Sequence, residues 1–267
     1  MTFNSLILIW FDNNQRNLPW RDQSDPYKIW LSEIILQQTR VAQGINYYLN
    51  FVATYPQIQD LAAASEQEVL RLWQGLGYYS RARNLHATAQ FIVENLDGKF
   101  PDNYKDLLKL KGIGPYTAAA IASIAFNETV SAIDGNVFRV FARYFNLHLD
   151  ISESKTRNYF FELGNKIIDR ERPGDFNQAV MELGATVCLP VNPKCELCPV
   201  NDSCEARAKK TIQELPIKTK KTKVSHRYFH FMEISDGENY LMTKREGKDV
   251  WKNLFTFPLI ETSENES

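Results

Sequence analysis

At 267 residues, with 44% apolar and 24% charged side chains, the chain has the composition of a folded globular protein and enough material for one large domain or two smaller ones. Its net charge of −1 gives no global attraction for a polyanion, so any nucleic-acid binding must come from a local patch. The one apolar run near the N-terminus, residues 6–11, is too short to span a bilayer; with no basic residue ahead of it and Asp12-Asn13-Asn14 behind it, it lacks the pattern of a signal peptide. The expectation is a soluble, cytoplasmic protein with no membrane partner.

The chain divides near residue 215. Up to that point it reads as successive amphipathic helices. Asp25 before Pro26 is an N-cap with proline at the first helical position, opening a helix through Trp30 and Leu31. Ser65-x-x-Glu68 is a capping box ahead of Val69, Leu70 and Trp73. Asp102 or Asn103 caps a short helix over Leu107, Leu108 and Leu110. An alanine-rich helix is expected over 116–126, then helices over 137–145, 152–168 and 175–187. Residues 216–224 form a basic linker around Lys218, Lys220, Lys221 and Lys223. From Ser225 the pattern alternates, with Tyr228, His230, Met232 and Ile234 on one face; Asp236-Gly237 then predicts a turn into Tyr240-Leu241-Met242 and a β-hairpin. The last 30 or so residues are too few to close a β domain, so 225–267 is expected to belong to a longer unit.

Four cysteines, the only ones in the chain, fall within 17 residues as C-x6-C-x2-C-x5-C: Cys188, Cys195, Cys198 and Cys204. Four thiolates this close can converge on one metal centre with little loop entropy to overcome, whereas disulfides would need an oxidising compartment for which nothing argues. Ligand type alone leaves iron–sulfur and structural zinc both open.

Three further features carry chemistry. Lys111-Gly112-Ile113-Gly114-Pro115-Tyr116-Thr117 lies between two helices; its glycines permit a tight hairpin, and amides at the next helix start can hold a phosphate without side-chain charge. Flanked by leucines and an alanine-rich helix, it is a helix–hairpin–helix candidate spanning about 103–126. Asp134 stands 20 residues beyond Gly114, ahead of a helix, where an aspartate is most often simply an N-cap. Glu33 is embedded in Ile29-Trp30-Leu31-Ser32-Glu33-Ile34-Ile35-Leu36. If it faces inward, its pKa rises into the range of a general acid at neutral pH; the alternative is a surface residue on the polar stripe of an amphipathic helix.

The glycine hairpin, the aspartate beyond it and the cysteine spacing together resemble the helix–hairpin–helix base-excision glycosylases. Four longer stretches resemble the MutY-type A/G-specific adenine DNA glycosylases among them: Leu18-Pro19-Trp20-Arg21; Trp30 through Leu36, Gln37, Gln38 and Thr39 to Val41; Gly75-Leu76-Gly77-Tyr78 through Leu85; and Asp134-Gly135-Asn136-Val137-x-Arg139-Val140. The match runs from about Leu18 to Cys204. The resemblance implies a mainly α helix–hairpin–helix fold over 1–215 and a [4Fe–4S] cluster on the 188–204 loop. It implies that Glu33 protonates the adenine leaving group and that Asp134 stabilises the cationic sugar, with Tyr116 and Asn136 beside it. Trp20, Arg21 and Leu36 fall in the matching stretches as substrate-side residues. Gln38, Thr39 and Tyr78 fall where the family enters the duplex or touches the base opposite adenine, and Gln178 and Glu182 are expected in the pocket. Gly112 and Gly114 fall in the phosphate-gripping hairpin. The implied partner is duplex DNA with an A:8-oxoguanine or A:G mispair, bound by a monomer. Endonuclease III-like relatives carry a nucleophilic lysine two residues after the second hairpin glycine; here Tyr116 stands there, so base removal without strand cleavage is expected. Residues 250–258 resemble the opening of the family's small α+β Nudix-like domain, of which 225–267 would be a part, so discrimination of 8-oxoguanine is expected to be partial. The two alternatives are a lyase of the endonuclease III kind and a catalytically idle iron–sulfur DNA-binding protein.

Overall fold

A computed structural model describes residues 2–21, 23–219, 224, 226–247 and 249–262. Among them the chain forms twelve α-helices followed by four short strands. The helices are α1 (Phe3–Asn14), α2 (Pro26–Leu36), α3 (Val41–Thr54), α4 (Ile58–Ala63), α5 (Glu66–Leu72), α6 (Ser80–Asn95), α7 (Tyr104–Leu107), α8 (Pro115–Phe126), α9 (Gly135–Tyr144), α10 (Ser154–Ile167), α11 (Pro173–Thr186) and α12 (Glu205–Ala208). The capping signals act where the sequence puts them. Asp25 accepts from the Tyr27 amide at 2.9 Å, Ser65 and Glu68 close their capping box, and Asn103, rather than Asp102, caps α7. The run at residues 6–11 is the middle of α1, capped by Thr2.

The helices enclose two apolar cores. One is built on α2, which buries Tyr27, Ile29, Trp30, Leu31, Ile34 and Ile35 against α3, α6 and α8. The other gathers α1, α9, α10, α11 and the cysteine loop around Phe11, Phe141, Phe160 and Phe176. Helix α8 joins the two, packing on α2 on one side and on α11 on the other. The site described below opens between the cores.

Helices α3, α4 and α6 have no counterpart in the sequence expectations. In α6 the buried positions are Ala82, Leu85, His86, Thr88, Ala89 and Ile92, so only two large apolar side chains mark its inner face. The expected β-hairpin is corrected in part. Strand β1 (Tyr228–Phe231) pairs antiparallel with β4 (Leu259–Thr262), and β2 (Thr243–Lys244) with β3 (Phe255–Thr256). The turn at Gly237 forms, with φ +99°, but only a single bridge, Ser235 to Tyr240, joins the segments beside it. Met232 and Ile234, which share a face with Tyr228 and His230 in the alternation, lie beyond β1 and are exposed. Local turn chemistry fixed the reversal, and pairing went to a strand distant in sequence. Of the basic linker, residues 220–223 lie outside the described residues.

Candidate active site

Helix α2 is buried almost all round: Ser32, Ile34 and Ile35 are inside together with Ile29, Trp30 and Leu31. Such a helix has no solvent stripe, so the surface reading of Glu33 fails. The carboxyl points into a cavity of about 540 Å³ whose lining includes Glu33, Tyr116, Asp134, Asn136, Arg21 and Glu182. Burial pushes Glu33 up from the ordinary glutamate value of 4.5 to about 7; the Tyr116 hydroxyl opposes the rise, and the neighbouring Asp134 carboxylate adds to it. Arg21 offsets part of it as well. The single phenolic hydrogen of Tyr116, in the first turn of α8, is shared between the Glu33 carboxyl and the Met181 sulfur at 3.2 Å, the weaker acceptor. Burial, followed by the charges of Glu33 and Asp134, holds the Tyr116 phenol well above its usual value of 10, so it is a donor and not a base here.

Asp134 is both an N-cap and a wall of the cavity. Its Oδ1 accepts from the amides of Asn136 at 2.9 Å and Val137 at 2.8 Å, and its Oδ2 accepts from Asn136 Nδ2 at 2.8 Å. Burial raises its pKa, while these bonds and Arg139 act to keep it ionised. The segment leading into it is pinned from α10 and α11. Asn165 accepts from the Ser131 amide at 2.8 Å, and Asn177 accepts from the Ala132 amide at 3.0 Å while donating to the Val130 carbonyl at 2.9 Å. The capping reading and the cavity reading of Asp134 therefore both hold, because a helix start aimed at a pocket serves both.

The wall opposite is ionic. Glu182, 1% exposed, takes Arg16 Nε at 2.5 Å and Arg21 Nη2 at 2.6 Å. Arg21 also donates to the Gln178 side-chain oxygen at 2.7 Å and stacks over Phe11. Glu182 and Gln178 thus line the cavity as expected, with their acceptors already engaged by arginines. Trp20, Leu36, Gln38 and Thr39 line it too, and Trp20 packs edge-on to Tyr48.

Tyr78, Gly112 and Gly114 stand apart from the cavity. Tyr78 is 60% exposed, and both it and Gln38 adopt the left-handed backbone conformation. In the hairpin only Gly112 requires glycine conformationally: its φ is +78°, and an added Cβ would sit 2.8 Å from Asn84 Cβ. Gly114 has an ordinary φ of −91° as the N-cap of α8, with open space above it, so its missing side chain leaves the helix start accessible.

The four cysteines are free thiols standing around one pocket with Arg143, Pro193 and Asn201. Among the described residues no three His, Cys, Asp or Glu side chains gather closely enough to share a single metal ion. Thiols set around a hollow suit the corners of a cluster better than one tetrahedral zinc. Two arginines of α9 that sequence reasoning did not single out as site residues tie this loop to the cavity. Arg143, 3% exposed, donates to Cys188 Sγ at 3.4 Å and to the carbonyls of Leu189 at 2.7 Å and Pro190 at 3.1 Å. Arg139 donates to the Cys188 carbonyl at 2.6 Å and to Asn136 Oδ1 at 2.8 Å. Arg16 was also missed, since its partner lies 166 residues away and no local pattern marks it.

Residues 31–166 match the model of the HhH-GPD superfamily of base excision DNA repair proteins, and residues 188–204 match the iron–sulfur binding domain of endonuclease III. The chain is 40% identical over 261 residues to an adenine DNA glycosylase of Buchnera aphidicola subsp. Schizaphis graminum, covering 97% of this chain and 75% of that protein. It is 45% identical over 222 residues to the adenine DNA glycosylase of Homo sapiens, covering 80% of this chain and 41% of that one. A thermostable thymine-DNA glycosylase superposes with a TM-score of 0.71 at 30% identity, over 78% of this chain and 95% of that one. The 188–204 loop is accordingly a [4Fe–4S] cluster loop, and it contains all four cysteines of the chain, Cys188, Cys195, Cys198 and Cys204. A mainly helical fold, an acid and a second carboxylate facing one cavity, and relatives of this kind lead to one assignment: the chain belongs to the adenine DNA glycosylases of the HhH-GPD base-excision repair superfamily, enzymes that hydrolyse the N-glycosidic bond.

Proposed function

We propose that this protein binds duplex DNA as a monomer and removes adenine mispaired with 8-oxoguanine or guanine, without cleaving the strand itself. The observation that carries the reading is the pairing of Glu33, pushed up to about 7, with Asp134 across one cavity. An acid near neutrality beside a carboxylate held by three hydrogen bonds is the division of labour that acid-assisted glycoside cleavage needs.

The Gly112–Gly114 hairpin takes a backbone phosphate on its amides, and the adenine leaves the stack for the cavity. Glu33 protonates a ring nitrogen of the base, weakening the glycosidic bond. Tyr116 holds the Glu33 carboxyl by hydrogen bonding, and Asn136 fixes Oδ2 of Asp134. As the bond breaks, positive charge grows on the sugar and Asp134 stabilises it until water completes the hydrolysis. Arg16, Arg21, Gln178 and Glu182 make a pre-ordered polar wall for the base edge, with Trp20 and Leu36 alongside. Gln38, Thr39 and Tyr78 meet the opposite strand. Residues 188–204 grip the [4Fe–4S] cluster, which when bound cross-links that loop through iron–thiolate bonds.

Strand cleavage by Schiff-base formation needs an amine at the sugar. Tyr116 occupies the hairpin position at issue, and among the described residues the cavity lining contains no lysine. The test is a single-turnover assay on A:8-oxoguanine and A:G duplexes, resolved with and without alkali. Adenine release with breaks only after alkali is expected. Nicking without alkali, or a covalent adduct trapped by borohydride, would move the chain to the lyase class, and no base release from either duplex would refute the proposal.

A further inference from the structure

Arg81 sits in the first turn of α6, where a cation opposes the helix dipole, so its place there is not explained by α6 itself. Its guanidinium faces the C-terminal end of α2, whose last carbonyls have no helical partner. Nη1 donates to the carbonyls of Ile34 at 2.9 Å, Ile35 at 3.0 Å and Gln37 at 2.5 Å. Nη2 turns the other way, to the carbonyls of Leu76 at 3.3 Å and Gly77 at 3.4 Å. The Trp73 ring supports the guanidinium at 5.0 Å while its own Nε1 donates to Gly77 at 3.0 Å, and the Tyr78 ring lies at 5.9 Å. One planar fork therefore bonds the backbone on both sides of a gap.

Each side of that gap ends in a residue forced into the left-handed region. Gln38 has φ +56° and Tyr78 has φ +47°, and both are exposed. Conformations of this kind in non-glycine residues persist only where the surroundings over-determine them. The bonds to Gln37 and Gly77 are each one residue before these positions. One turn further along α6, Asn84 closes against Gly112 of the hairpin.

We infer that Arg81 is a positioning residue that locks the Gln38 turn and the Tyr78 loop into a single register, so that the two enter the duplex together and read the base opposite adenine as a unit. This rests on the proposed reading that both turns face DNA.

The test uses the full chain with its cluster, as wild type, Arg81→Ala, Arg81→Lys, Tyr78→Ala and the Arg81→Ala/Tyr78→Ala double variant. Equilibrium binding is measured on duplexes holding a non-cleavable 2′-fluoro-adenosine opposite 8-oxoguanine or opposite thymine, with melting temperature and cluster absorbance as controls. Arg81→Ala should weaken mispair binding by about tenfold while leaving the fully paired duplex nearly unchanged, so the preference between the two collapses. Arg81→Lys should melt close to wild type yet not restore the preference, because an ammonium can cap α2 but cannot span both turns. The double variant should lose less than the product of the single losses. An undiminished preference in both Arg81 variants, equal loss on both duplexes, or strictly multiplicative losses would overturn the inference. Should Arg81→Ala not fold, the lysine variant decides alone. Should wild type show no mispair preference, the proposed function fails first and this inference falls with it; a wild type that prefers the mispair beside Arg81 variants that keep the preference sinks the positioning role only.

Discussion

Replacing Glu33 by glutamine should abolish adenine release and at the same time make the protein more stable at alkaline pH. The carboxyl lies near 4.5 in an unfolded chain and near 7 in the folded one, with burial as the chief cause. Between those two values the folded state binds the proton that the unfolded state has released, so stability falls as pH rises and the loss is complete above 7. At about 1.4 kcal/mol per pH unit of separation, the folded protein carries a penalty of about 3 kcal/mol at pH 8 that an uncharged glutamine does not. At about pH 5.5 only a little over 1 kcal/mol of it has accrued, so the advantage of the variant should grow by about 2 kcal/mol between the two conditions. For a chain of this size that is roughly 4 °C or more in melting temperature. Melting curves of both proteins with the cluster loaded, taken at both pH values, give the comparison. A difference in melting temperature that does not change with pH would show that Glu33 is not the buried acid described here. A gain in stability together with retained single-turnover activity would show that it is buried but idle.

The same carboxyl, as the proposed acid, should set the pH dependence of the reaction. The single-turnover rate should fall as pH rises through about 7, close to tenfold per unit above it. Tyr116→Phe removes the hydrogen bond that holds the Glu33 pKa down, so the alkaline limb should move to higher pH; a limb that stays in place or moves down contradicts this role. Asp134→Asn keeps an oxygen to cap α9, so stability should change by less than about 1 kcal/mol, while the rate drops by about a hundredfold or more for want of the charge. Parallel losses of both would reduce Asp134 to its cap. Arg143→Leu removes the donor to Cys188 Sγ and to the next two carbonyls, so iron and sulfide per chain should fall; full retention of both would show that the loop holds the cluster unaided.

The residues that line the candidate site were legible where local sequence carries its own physics. Capping oxygens, hairpin glycines and clustered thiols act within a few residues, so their spacing states their geometry. Glu33 was legible through its apolar flanks, which leave a helix no outward face on which to place a charge. Arg16, Arg139 and Arg143 were not picked out as site residues, because each is tied to the site by a partner 45 to 166 residues away and a lone arginine in a helix pattern reads as surface. Helix α6 was harder to read because its inner face holds two alanines, a threonine and a histidine beside Leu85 and Ile92, which weakens the contrast on which periodicity depends. The strand pairing of β1 with β4 was out of reach for a different reason: alternation marks a strand but does not name its partner.

The ten residues of α9 join the cysteine loop to the candidate site. Asp134 caps the positive end of this helix and Arg143 occupies its last turn, so the charges at both ends complement the dipole. Between them, Arg139 spans from Asn136 to the backbone of Cys188 and Gly184. Asn136 is in turn the side chain that fixes Oδ2 of Asp134. The orientation of the Asp134 carboxylate is therefore set by a helix whose guanidinium groups are fastened to the cysteine loop. Were the cluster bound, its thiolate bonds would restrain that loop and, through Arg139 and Arg143, the helix that begins at Asp134. A carboxylate meant to face a transient positive charge gains most from this, because it must already point the right way when the charge appears.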